Sequence, residues 1–152
     1  MNHGHSPADI LRAALIEGGM GALPSGTLSP RVALWPIYAG HLPDVPDNAL
    51  CVYDTSGQKD GRDYRTGQTI THPGFQIRLR TTDAATGWAK VRTLLRFLDT
   101  IKRQVITLGD DRYRIDAITQ TGTPLALGQE PDAKRREAIT INGTMTLQEL
   151  EP

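Results

Sequence analysis

One junction restricts what this chain can become. Phe75-Gln76-Ile77-Arg78-Leu79-Arg80 alternates apolar and polar residues, and a helical repeat begins almost directly behind it. Successive side chains of a strand point to opposite faces, so the first pattern buries one side of a sheet and wets the other. In the second, Ala84, Ala85, Trp88, Val91, Leu94, Leu95, Leu98 and Ile101 recur at the spacing of one helix face. Thr81-Thr82-Asp83 lies between them and supplies a cap, which predicts a helix from there to about Arg103. Trp88 is the expected core anchor. Nothing at the junction looks like a nucleophile, a metal ligand or a phosphate cradle. The pattern points to packing and assembly rather than to catalysis.

The remaining elements follow from similar signals. Ser6-Pro7-Ala8-Asp9 reads as a capped helix start, and Gly18-Gly19 as its end, with the first five residues frayed. Val32, Leu34 and Ile37 read as a first strand. Pro36 removes a ladder donor, which places that strand on an edge or at a bulge. A second strand is expected at about Ala49 to Asp54. Thr55 to Pro73 is polar, charged and punctuated by glycine, and reads as a protruding loop that orders against a partner. Thr66 to Thr71 is a short strand candidate within it, and such a strand makes part of the segment an extended hairpin. Val105 to Leu108, Arg112 to Gln120, and Ile139 to Leu147 read as three further strands, with a polar segment from Thr121 to Glu137 before the last. The expected fold is α+β: a mainly antiparallel sheet with a long amphipathic helix and a shorter N-terminal helix packed on one face.

The 152 residues suit a single domain, 1–152, with an extended loop at 55–73. There are 17 basic and 17 acidic side chains, so no net charge drives binding to nucleic acid. No apolar stretch approaches the roughly 20 residues of a membrane-spanning helix. The amino terminus lacks the basic and apolar regions of a secretory signal, and synthesis in a reducing cytosol is the expectation. Cys51 is the only cysteine and sits in an apolar run, where a small buried residue is the better reading than a reactive thiol.

Candidates for chemistry are thin. His3 and His5 share a short spacing with no further ligand nearby. Asp54-Thr55-Ser56-Gly57 lacks the alternating oxygen ligands and closing glutamate of a calcium loop. Gly57, Gly61 and Gly67 are scattered turn glycines, not a nucleotide fingerprint. No metal or cofactor is expected. Arg78 and Arg80 share one strand face, and Arg112 and Arg114 share another. If those strands are neighbours, the solvent side of the sheet carries a cationic strip, which is either ordinary solvated surface or a protein interface. Few aromatic residues accompany these charges, so a nucleic-acid platform is the poorer reading. Lys134-Arg135-Arg136 is a basic run in a late loop.

Three stretches carry a resemblance. They are Leu42-Pro43-Asp44-Val45-Pro46-Asp47-Asn48 with the strand behind it, His72-Pro73-Gly74 leading through the alternating strand into the helix, and Pro124-Leu125-Ala126-Leu127-Gly128-Gln129-Glu130 followed by basic residues and an Asn-containing last strand. In order and length, over residues 8 to 150, the chain resembles the tail terminator or minor capsid proteins of long-tailed bacteriophages. Gln129-Glu130-Pro131-Asp132 departs from the tighter Gly-Asp pairing of that pattern. The resemblance implies a non-enzymatic virion protein, assembled in the bacterial cytoplasm. It implies a homo-oligomeric ring, usually of six copies, that caps the tail tube and offers a surface to the head–tail connector. Genomic DNA passes through the lumen as a neighbour, and no membrane is involved. Candidate contacts are then Gly57, Lys59, Asp60, Arg62, Asp63, Tyr64 and Arg65 in the long loop, and Lys134, Arg135 and Arg136 in the late one. Arg78, Arg80, Arg112 and Arg114 are candidates for a subunit interface or sheet face. The alternatives are a head-completion protein of the neck, and a small ligand-binding or enzymatic α+β domain.

Overall fold

A computed structural model describes residues 4–24, 35–62, 64, 65, 67, 69–130 and 135–150. Among these, α1 (Pro7–Glu17) leads into β1 (Ile37–Ala39), β2 (Ala49–Arg62) and β3 (Thr69–Thr81); α2 (Ala84–Thr100) follows, then β4 (Gln104–Leu108), β5 (Asp111–Gln120), β6 (Leu125–Gln129) and β7 (Glu137–Leu150). The fold is mostly sheet with two helices. Val32 and Leu34, assigned from sequence to the first strand, lie outside the described residues.

The seven strands form one sheet in the order β1-β2-β3-β7-β5-β4, with β6 also paired to β7. It is mixed: β1 runs parallel to β2, and the other pairs are antiparallel. The edge position foreseen from Pro36 is where β1 lies. β7 organises the rest. Its partners on one side belong to β3. On the other side β5 pairs with 143–150 and β6 with 137–140. β5 and β6 thus lie end to end along one strand, and the Thr121 N–H to the Asn142 carbonyl (3.0 Å) bridges the break between them.

Two expectations from sequence fail here. Most of 55–73 is not a loop. It forms the far half of the β2–β3 hairpin, with Gln58↔His72, Lys59↔Thr71 and Arg62↔Thr69 in register. Backbone pairing needs no hydrophobic side chains, so a ribbon can be polar on both faces. Register shifts at Thr55/Gln58 and Lys59/Gly61 further hide the period of two. A Cβ on Gly57 would overlap the His72 carbonyl, so glycine lets the two backbones close at the bulge. The segment 121–137 likewise contains β6, whose five residues are all exposed and therefore carry no burial pattern.

Both helices add to one core. Ile10, Leu11, Ala14 and Leu15 of α1 and Val91, Leu94 and Leu98 of α2 join Leu50, Val52, Phe75, Ile77, Leu79, Ile115, Ile139 and Ile141 of the sheet in one buried cluster. α1 is closed by a capping box: the Asp9 N–H donates to Ser6 Oγ (3.1 Å), and the Ser6 N–H to the Asp9 carboxylate (3.3 Å). α2 stops at Thr100, short of the expected Arg103, which adopts φ 49° outside the helical range. Trp88 is only partly buried, not the central anchor expected of it. Gly87 takes that seat instead. A Cβ there would stand 2.6 Å from Thr81 Cγ2, so α2 approaches the sheet too closely for a bulky residue.

The Thr86 hydroxyl and N–H donate to the Asp83 carboxylate at the start of α2 and hold its pKa below the ordinary 3.8. A carboxyl depressed by folding adds stability above its unfolded pKa and loses it as pH falls through the folded value. Asp83→Asn keeps the cap but carries no charge. Its helical circular dichroism is expected to decline less steeply than the parent's between about pH 4 and pH 2. Superimposed acid titrations would contradict the role given to the charge.

Candidate interaction surfaces

The first surface is the turn end of the β2–β3 hairpin. β3 stays paired to β7 as far as Ile70↔Gln148, so Tyr64, Arg65 and Gly67 come after the last paired rows. Lys59, Arg62, Tyr64 and Arg65 are exposed there, and Gly57 is exposed at the bulge. Asp63 and the side chain of Asp60 lie outside the described residues. The sheet therefore presents cationic groups and a fully exposed tyrosine from a paired ribbon. Arginine and tyrosine are favoured at protein interfaces because each joins broad apolar contact to polar heads.

A cleft of about 600 Å³ opens at the same end, lined by His5, Ile10, Lys59, Tyr113, Leu147 and Glu149 among others. His5 is docked there rather than frayed. Its Nδ1 lies 3.1 Å from the Tyr113 hydroxyl and 3.4 Å from the Asp111 carboxylate, with the two rings edge to face. Burial raises the Tyr113 phenol above its ordinary pKa and keeps it neutral. Among the described residues, no three acidic, histidine or cysteine side chains come together as a metal site.

The four strand arginines do not make one strip, because β7 separates β3 from β5. Arg78 and Arg80 pair across to Thr140 and Ala138, whereas Arg114 and Arg112 pair to Gln148 and Leu150. From Thr140 to Gln148 is eight residues of strand, or about 27 Å at ~3.4 Å each. Arg112 is exposed, and Arg78 is half-buried. Arg114 is held by Asp116 (2.5 Å), which also accepts from Gln148 (2.9 Å).

Arg80 and Arg136 turn out to be internal rather than contact residues. Arg80 donates to the carbonyls of Pro46 and Asp47, and burial, reinforced by nearby Arg136, lowers its pKa. Arg136 is 2% exposed and meets Asp44 at 2.8 Å, Glu130 at 3.0 Å and Asp47 at 3.6 Å. A buried guanidinium must be paired, and the turn 42–48 supplies two of the three carboxylates. Of its basic neighbours, Arg135 is exposed and Lys134 lies outside the described residues.

Sequence reasoning missed one surface. Leu125 and Leu127 of β6 are 57% and 48% exposed, on a strand that pairs only with β7 among the described residues and has no charge from 125 to 129. Sheet edges are usually guarded by charge, proline or a cover. The Leu-Ala-Leu alternation after Pro124 was the available signal.

A family model described as "bacteriophage tail terminator protein" matches residues 14–149 of this chain. No curated protein matches it in sequence. Among solved structures, a chain whose name states no function is 17% identical, with TM-score 0.48, covering 98% of this chain and 99% of its own. A chain from the virion of a native gene transfer agent particle is 14% identical, with TM-score 0.45, covering 93% of this chain and 87% of its own.

Proposed function

Because this chain belongs to the bacteriophage tail terminator family, we propose that copies of it close into a ring, of six subunits, on the last ring of a tail tube. The ring ends tube growth and presents its other side to the head–tail connector. DNA passes through its lumen without being read. The role is structural, within the virion, and no bond is made or broken.

The observation that carries this reading is the family match over most of the chain. Two features support it. The exposed hairpin end, with Lys59, Arg62, Tyr64 and Arg65, projects from a backbone-paired ribbon, which suits a docking surface. The uncharged β6 edge and the hairpin's outer strand lie on opposite flanks of the sheet. A ring requires two different patches of one subunit to meet, and opposite flanks satisfy that geometry.

Light-scattering mass of the purified protein, with negative-stain images of tails assembled beside it, tests the proposal. A closed oligomer whose projection matches the tube end is the expected result. A strict monomer that never appears on tails would overturn it.

A further inference from the structure

A strap crosses the outer face of the sheet and is held there by buried charge. Residues 40–48 join β1 to β2. The Gly40 N–H donates to the Val52 carbonyl (2.9 Å), and the Asp44, Pro46 and Asp47 carbonyls accept from Arg136 and Arg80. Val45 adds little packing at 65% exposure, while Leu42, Pro43 and Pro46 are half-buried. The cationic half of the latch is dry, with Arg80 and Arg136 at 3% and 2% exposure. Its anionic half is wet: the Asp44 and Asp47 side chains are 68% and 53% exposed.

Arg136 also grips Glu130 at 3.0 Å, and its own carbonyl accepts the Glu130 N–H at 2.7 Å. One guanidinium therefore ties the strap, next to edge strand β1, to Glu130 just past the end of β6 on the other flank. Beside the strap lies the Cys51 thiol, fully buried and contacting the backbone of Gly40 and His41.

We propose that the 40–48 strap is a salt-sensitive latch that opens without unfolding the sheet, and that its opening loosens the Glu130–Arg136 contact at the same time. Salt screens the water-facing carboxylates in part, less than it would a fully exposed pair, because the guanidinium they hold is buried. The buried guanidiniums gain hydration only once the strap leaves, so the latch has two discrete states rather than a continuum. This inference stands on the side-chain cluster alone and does not depend on the ring.

Cys51, the only cysteine, is the natural probe. The full chain is treated with Ellman's reagent in about 0.05 M and about 0.5 M sodium chloride, with amide hydrogen exchange and urea unfolding measured alongside. An Asp44→Asn/Asp47→Asn variant is treated in the same way. Thiol labelling is expected to quicken about twofold or more with salt and about tenfold or more in the variant, well ahead of global unfolding. Exchange at the Glu130 N–H is expected to rise with it. If the variant fails to fold, the salt series on the parent chain still decides. Labelling that ignores salt in the parent, or that keeps pace with global unfolding throughout, overturns the latch. A loosened strap with Glu130 protection intact overturns the coupling.

Discussion

Lys59→Glu/Arg62→Glu/Tyr64→Ser/Arg65→Glu is expected to fold as the parent does and to lose at least about a hundredfold in binding to tail tubes. All four side chains are exposed, and none belongs to the buried cluster. Surface changes of this kind usually alter stability by only about 0.5 kcal/mol each. Interface arginines and tyrosines are among the residues whose loss costs about 2 kcal/mol or more, and charge reversal adds repulsion at the approach. Cutting the whole of 55–71 would be a poorer experiment, since most of that ribbon pairs with β7 or within itself. The readout is complementation of a terminator-deficient phage, scored by tail length in micrographs, beside a melting curve. Tails of normal length with the fourfold variant would remove the hairpin end from the proposed docking surface.

Phe75→Ala is expected to cost about 3–5 kcal/mol, a large share of the roughly 5–15 kcal/mol that holds a domain of this size. Phe75 is fully buried at the middle of the sheet and is among the largest such side chains. Its ring lies over Gly143 on the neighbouring strand. A Cβ on Gly143 would stand 2.6 Å from Phe75 Cζ and 2.6 Å from the Thr119 carbonyl. The reciprocal change, Gly143→Ala, is thus expected to destabilise by overpacking, by about 1–3 kcal/mol. Urea denaturation of both variants checks the pair. If Phe75→Ala costs under about 1 kcal/mol, the site collapses freely and the ring is not the keystone its burial suggests.

The parts of this fold that were legible in the sequence are those whose side chains alternate in environment. Ile77 and Leu79 are buried while Gln76 and Arg78 are less so, and Val91, Leu94 and Leu98 repeat on a helix face, so pattern and burial agree. The far hairpin and β6 are harder to read because exposed strands need only backbone pairing, which leaves a weak mark on residue type: the Thr66–Thr71 candidate and the Leu-Ala-Leu alternation. Trp88 misled because size was taken for depth. The seat went to Gly87, and a glycine gives no hydrophobic signal.

The interaction residues divide in the same way. That Lys59, Arg62, Tyr64 and Arg65 are exposed is legible because a charged, glycine-punctuated run is visible in one dimension. Arg136 was placed with the solvated basic run because its partners, Asp44, Asp47 and Glu130, lie far away in sequence or across a turn. Nothing in Lys-Arg-Arg distinguishes the residue that turns inward.

The end-to-end placement of β5 and β6 along β7 has a mechanical side. A pull along the strands meets many hydrogen bonds loaded side by side at once. Failure then demands that whole rows slide together, whereas a pull across the sheet would open them one after another like a zipper. A subunit oriented with β7 along the direction of strain would resist tearing far beyond what its equilibrium stability suggests.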